Sequence, residues 1–163
     1  MPSIAIVTDT DASLPEQVAA EYGIRQVPIA VHFGDETLLT GEDIDTSSLF
    51  ARVDREGELP TTSAPAPGDF LNAFQAAFQD GADQVICLAV SSEVSGTYDA
   101  ARTARDLLLD RDITVVDTQS ISMGQGFMAI EAAEAARSGA SKDEIIEHAL
   151  DVALLEYSDK LSN

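Results

Sequence analysis

Apolar and polar positions alternate along this chain in blocks of two kinds. Short apolar runs end in polar turns at "SIAIVT" (3–8), "DQVICLAV" (83–90) and "DITVVDT" (112–118), which predicts buried strands. Between them lie longer stretches with apolar residues at helical spacing: "LPEQVAAEYG", "DTSSLFARVDREG" (45–57), "GDFLNAFQAAFQDG" (68–81), "SGTYDAARTARDLLLD" (95–110), "MGQGFMAIEAAEAARSG" (123–139) and "SKDEIIEHALDVALLEYSDKL" (141–161). "RQVPIAVHFG" (25–34) and "ETLLTGED" (36–43) read as two strands about a "GDE" turn, and "PTTSAPAP" (60–67) as a proline-rich loop. Strands alternating with helices predict a three-layer α/β/α domain with a mostly parallel sheet and right-handed crossovers.

In such a fold ligands settle beyond the carboxyl ends of the strands, so the residues after each strand matter most. Those residues are hydroxyls. "TDTDAS" follows the first strand, "SSEVSGT" the central one and "DTQSISMGQG" the last, with "PTTSAP" leading into a helix nearby. Ser91-Ser92-x-x-Ser95-Gly96-Thr97 has the form of an anion cradle. Hydroxyls donate, Gly96 admits a ligand close to the backbone, and the first N–H groups of the following helix lack partners. Simple helix capping explains the same residues one turn at a time; four such turns at one sheet edge favour a ligand site.

Composition narrows the function. Twenty-nine acidic residues against nine basic ones give a formal charge of −20 over 163 residues, which repels nucleic acid and anionic membrane surfaces. No apolar run approaches the roughly 20 residues that cross a bilayer, and no basic leader precedes "SIAIVT", so a cytoplasmic protein is expected. The single cysteine, Cys87, sits in a buried strand and reads as a structural thiol. His32 and His148 lie on different elements without metal-pair spacing, so neither a metal nor a cofactor is expected.

"VTDTDASLP", "LPTTSAPAPGDF", "VSSEVSGTYDAA" and "VDTQSISMGQG", in that order and at those separations, resemble the DegV family of bacterial fatty-acid-binding proteins, from Ile4 to about Asp151. The resemblance implies a carrier rather than an enzyme. Such a carrier holds a long-chain fatty acid in an apolar tunnel and presents its carboxyl group to a separate fatty acid kinase. It further implies carboxylate binding by Thr62, with Thr61 and Ser63 beside it on a loop kept extended by its prolines, and by the turn of Ser91, Ser92, Ser95, Gly96 and Thr97, Ser92 foremost. Asp9, Thr10, Ser13, Asp117, Ser120 and Ser122 are expected behind these, bracing the loops, because a carboxylate touching a carboxylate ligand would be repelled. Family members continue past this point with an arginine-containing stretch and a second domain, so the chain is expected to correspond to their N-terminal domain alone. A tunnel wall at Phe127, Met128 and Ile130 would then be covered by the last helix, through Leu150, Ala153, Leu154 and Tyr157, or by a second copy in a homodimer. Two other classes remain open: a small-molecule phosphotransferase or hydrolase using the same cradle, for which no Walker A motif is present, and a ligand-free interaction domain.

Overall fold

The computed structural model describes residues 2–161, with side chains described as far as Val152. Strand β1 (Ile4–Asp9) runs into a 3-10 turn (Thr10–Ala12) and helix α1 (Glu16–Tyr22), then β2 (Arg25–Val27). An excursion follows: β3 (Ala30–Phe33), β4 (Glu36–Leu39), α2 (Thr46–Glu56) and β5 (Thr61–Ser63). The chain returns through α3 (Pro67–Gln79), β6 (Gln84–Ala89), α4 (Thr97–Asp106), β7 (Asp112–Asp117), α5 (Ser122–Arg137) and α6 (Lys142–Leu161).

A parallel sheet of order β2-β1-β6-β7 forms the middle layer. Its alternating residues serve two cores, as the period of a strand demands. Ile6, Ile86 and Leu88 face α1, α5 and α6, packing on Ala19, Met128, Ala129, Ala132, Ile145 and Ala149. Val7, Val85 and Cys87 face α3 and α4, packing on Phe70, Phe74, Ala77, Ala101 and Ala104. Cys87 is fully buried, and desolvation followed by the nearby Asp9 charge pushes its thiol well above the ordinary range, which makes it inert. Small alanines along α5 allow α6 to pack closely on the helix that carries them.

The sequence expectations fail at two places in the excursion. The stretch 25–34 is not one strand: it breaks at Pro28, which lacks an N–H for a central ladder, so that β2 stays in the parallel sheet while β3 starts a second, antiparallel sheet of order β4-β3-β5. The "PTTSAPAP" stretch is not merely a loop either. Thr61–Ser63 form an edge strand on β3, where flanking Pro60 and Pro65 blunt the open edge. Pro67 then opens α3, and the Asp69 carboxylate accepts from the Ala66 N–H at 2.8 Å.

Met128 is wholly buried in the core, so it lines no open wall; Ile130 is half-buried and Phe127 is exposed. Leu150 stands at the surface of α6. Ala153, Leu154 and Tyr157 lie outside the residues whose side chains are described.

Candidate hydroxyl cradle at the carboxyl edge of the sheet

β1, β6 and β7 end side by side at Asp9, Ala89 and Asp117, and hydrogen bonds stitch their exit loops together. The Asp9 carboxylate, fully buried, accepts from the Val90 N–H at 2.9 Å and from the Asp11 N–H at 3.1 Å, joining the first exit loop to the second. Burial raises its pKa from 3.8 to about 6, against the opposing effect of those bonds. Asp117 does the corresponding work between the second and third loops. It accepts from Ser92 N–H (3.1 Å), Ser92 Oγ (2.5 Å) and Gln119 N–H (3.1 Å). Burial pushes this carboxyl up, but the Ser92 hydroxyl and the two backbone donors outweigh it and hold Asp117 below its ordinary value. The Ser91 N–H donates to Ser120 O at 3.0 Å, and Thr118 Oγ1 donates to Ala89 O at 2.8 Å.

The first loop is tied to the antiparallel sheet as well. Thr40 Oγ1 donates to Ile29 O, so the proton in the 2.6 Å contact between Thr10 and Thr40 belongs to Thr10, whose oxygen accepts from the Ile29 N–H. Ser13 and Ser122 meet at 3.2 Å. Both have φ of 54°, and Gln119 has 51°; these are the non-glycine residues with left-handed backbone among the described residues, and all three lie in these exit loops. Strain of this kind concentrates where a structure is held for a purpose other than its own stability.

Proton counting separates the sequence-predicted donors. Ser92 and Thr10 have committed theirs within the chain. Ser91 Oγ only accepts, from the Glu93 N–H, and so keeps a proton free; Ser95 and Thr97 share one contact at 2.8 Å and keep one proton between them. Thr61 and Thr62 make no side-chain hydrogen bond among the described residues. Ser63 bonds His32. Gly96 does not use glycine's left-handed freedom, since its φ is −75°, and a Cβ there would meet nothing within 4 Å. The start of α4 therefore borders open space beside the serines.

β5 presents its residues to opposite sides. Register pairs Val31 with Thr62 and His32 with Thr61, so Thr62 shares the face of buried Val31 while Thr61 and Ser63 share that of His32. No hydrogen bond joins the β5 hydroxyls to the 91–97 turn among the described residues. His148, the other histidine, stands apart on α6 with Nδ1 3.7 Å from Glu131.

Two residues escaped the sequence reading. Gln125, in the first turns of α5, is fully buried; its amide nitrogen donates to Thr8 Oγ1 (2.9 Å) and Leu88 O (3.2 Å), while its carbonyl oxygen has no partner. Its neighbour Gly126 lets α5 approach the first exit loop, since a Cβ would come within 2.6 Å of Ala12 O. The signal was present as a polar residue at core spacing from Met128 and Ala132. His32, expected to be structural, bonds Thr37 on β4 and Ser63 on β5.

The model of the DegV family, described as a family of uncharacterised proteins, matches residues 3–153. This chain belongs to the DegV family. A DegV domain-containing protein of Clostridium perfringens is 31% identical over 163 residues, which is all of this chain and 56% of that protein. Two solved DegV structures superpose closely. One, from Thermus thermophilus and described for its fatty acid binding, has 35% identity and a TM-score of 0.82 over 93% of this chain and 53% of its own. The other, a fatty acid binding protein from Bacillus subtilis, has 31% identity and a TM-score of 0.83 over 93% of this chain and 54% of its own. The chain thus spans about half the length of the relatives it matches. No described helix is long and apolar enough to cross a membrane.

Proposed function

We propose that this DegV chain binds the carboxylate of a long-chain fatty acid at the carboxyl edge of its sheet, as a carrier that presents the head group to a separate fatty acid kinase. The observation that supports it most is the pair of uncommitted protons at the start of α4, one on Ser91 and one on Ser95, which buried Thr97 leaves free by donating its own, beside exposed Gly96 where a Cβ would meet nothing. Such donors suit an anion. Thr62 is the β5 donor in this reading because it alone of the three lies on the inner face of its strand. Ser92 takes part only by turning its proton from Asp117 to the ligand, and ionised Asp117 keeps the carboxylate to the Ser91 and Ser95 side of the turn. Exposed Ile121 and Phe127 receive the first methylenes of the acyl chain, and the remaining cover comes from a further domain or a second copy. The single chain contributes fold, donors and orientation to this task; phosphoryl transfer belongs to the kinase.

Binding of a fluorescent long-chain fatty acid tests the reading. Thr62→Ala and Ser91→Ala should each weaken binding by about 1.5–3 kcal/mol, the value of a hydrogen bond to a charged group. Gly96→Ala should leave stability unchanged and still weaken binding, since the added methyl occupies the space given to the ligand. Parent-like binding by all three variants would move the head group elsewhere, and a parent that binds no fatty acid would end the carrier reading.

A further inference from the structure

The donors of the cradle do not by themselves choose an anion. Hydroxyls and free N–H groups at a helix start take a phosphate as readily as a carboxylate. Their surroundings do choose. Among the described residues no arginine, lysine or histidine hydrogen-bonds to the 91–97 turn or to the 117–122 loop, so every donor there is neutral. A full negative charge sits in the same wall, on the Asp117 carboxylate that bonds the Ser92 N–H and hydroxyl. Burial works against that charge, and the Ser92 hydroxyl with the two backbone donors outweighs it and keeps Asp117 ionised at neutral pH. Asp9, buried on the Val90 N–H, and Glu93, exposed within the turn, add to the negative side.

The charge of a ligand then counts against it in two ways. Repulsion by Asp117 is proportional to that charge, and the cost of stripping the ligand's water rises with its square, with no cation to offset either. A carboxylate carries one negative charge, whereas an alkyl phosphate carries close to two above its second pKa of about 6. We propose that Asp117 is the specificity-determining residue of the cradle: its fixed charge admits head groups with a single negative charge and rejects phosphate dianions, although the donors fit both. The proposal rests on the head-group reading above and narrows it, setting the cradle apart from the phosphate site that a phosphotransferase needs.

Displacement of a fluorescent long-chain fatty acid at about pH 8, where an alkyl phosphate is a dianion, gives the affinity of three competitors of equal chain length. A fatty acid and an alkyl sulfonate carry one charge each, and the sulfonate shares the tetrahedral shape of the third, an alkyl phosphate. The parent should bind the sulfonate much as it binds the fatty acid, and the phosphate more weakly than either. Asp117→Asn should raise the phosphate-to-sulfonate affinity ratio about tenfold, the effect of one extra unit charge some 10 Å from another at an effective dielectric of about 20. Any loosening of the turn acts on both ligands and cancels in the ratio. The same rise should appear in a Ser92→Ala background, where no freed hydroxyl proton can account for it. An unchanged ratio in Asp117→Asn, or a rise that vanishes with Ser92→Ala, overturns the role of the charge. Rejection of the sulfonate along with the phosphate makes shape the criterion, and a parent that prefers the phosphate removes the selection; either overturns the proposal. Those outcomes leave fatty acid binding intact, whereas a parent that binds none of the three overturns the head-group reading and the proposal with it.

Discussion

Asp9 makes stability depend on pH in a direction opposite to that of most carboxylates. The group is fully buried at the end of β1, and burial lifts its pKa from 3.8 to about 6. A raised carboxyl pKa means that the folded state binds the proton more tightly than the unfolded chain does, so stability falls as pH rises between those two values. The whole contribution is about 3 kcal/mol, present below about pH 4 and lost above about pH 6. Near pH 4 the protein approaches its pI of about 4.1 and would precipitate. About 1.3 kcal/mol of the effect lies between pH 5 and 7, clear of that region. The perturbation is Asp9→Asn, which keeps the shape and removes the titration. Urea unfolding followed by circular dichroism, for parent and variant at both pH values, isolates this one group, because the −20 surface and the other carboxylates cancel in the difference. The parent should gain on the variant by about 1.3 kcal/mol on going from pH 7 to 5, roughly 0.5 M in urea midpoint for an ordinary slope. A difference that stays flat, or that moves in the variant's favour at pH 5, refutes the assignment of a raised pKa to Asp9.

Gly126→Ala sets a helix-propensity gain of up to about 1 kcal/mol against a methyl driven to 2.6 Å from Ala12 O, a rigid backbone atom; overpacking of about 1–3 kcal/mol should win, and thermal unfolding reads the loss. Asp117→Asn should loosen the turn that Ser92 closes and speed amide exchange at Ser92 and Gln119, whereas unchanged exchange would show that the carboxylate does not brace it. Arg52 stacks 4.0 Å over Phe33 and pairs with Glu36 at 2.6 Å, and α2 contributes no buried residue, so Arg52→Ala should release α2 to proteolysis before the rest of the chain. Self-association across Ile121 and Phe127 should strengthen with salt, because each copy carries −20; sedimentation showing a monomer at every salt concentration would remove the dimer.

The layer order was legible in the sequence because the long parallel strands β1, β6 and β7 are apolar through their middles and the helices between them carry apolar residues at helical spacing, patterns that burial on two faces imposes locally. The cradle was legible for a similar reason: "SSEVSGT" and "DTQSIS" follow strands directly, and a parallel sheet brings all strand ends to one edge whatever the details of packing. Which hydroxyls keep a free proton was decided only in three dimensions. Ser91 and Ser92 are neighbours of the same kind, and what separates them is Asp117, 25 residues away, whose carboxylate takes the Ser92 proton. Nor could local pattern place Thr61–Ser63 in a strand, since three hydroxyls between prolines have neither apolar alternation nor length. Their pairing comes from β3, some 30 residues earlier, a partnership that exists only once the sheet has formed.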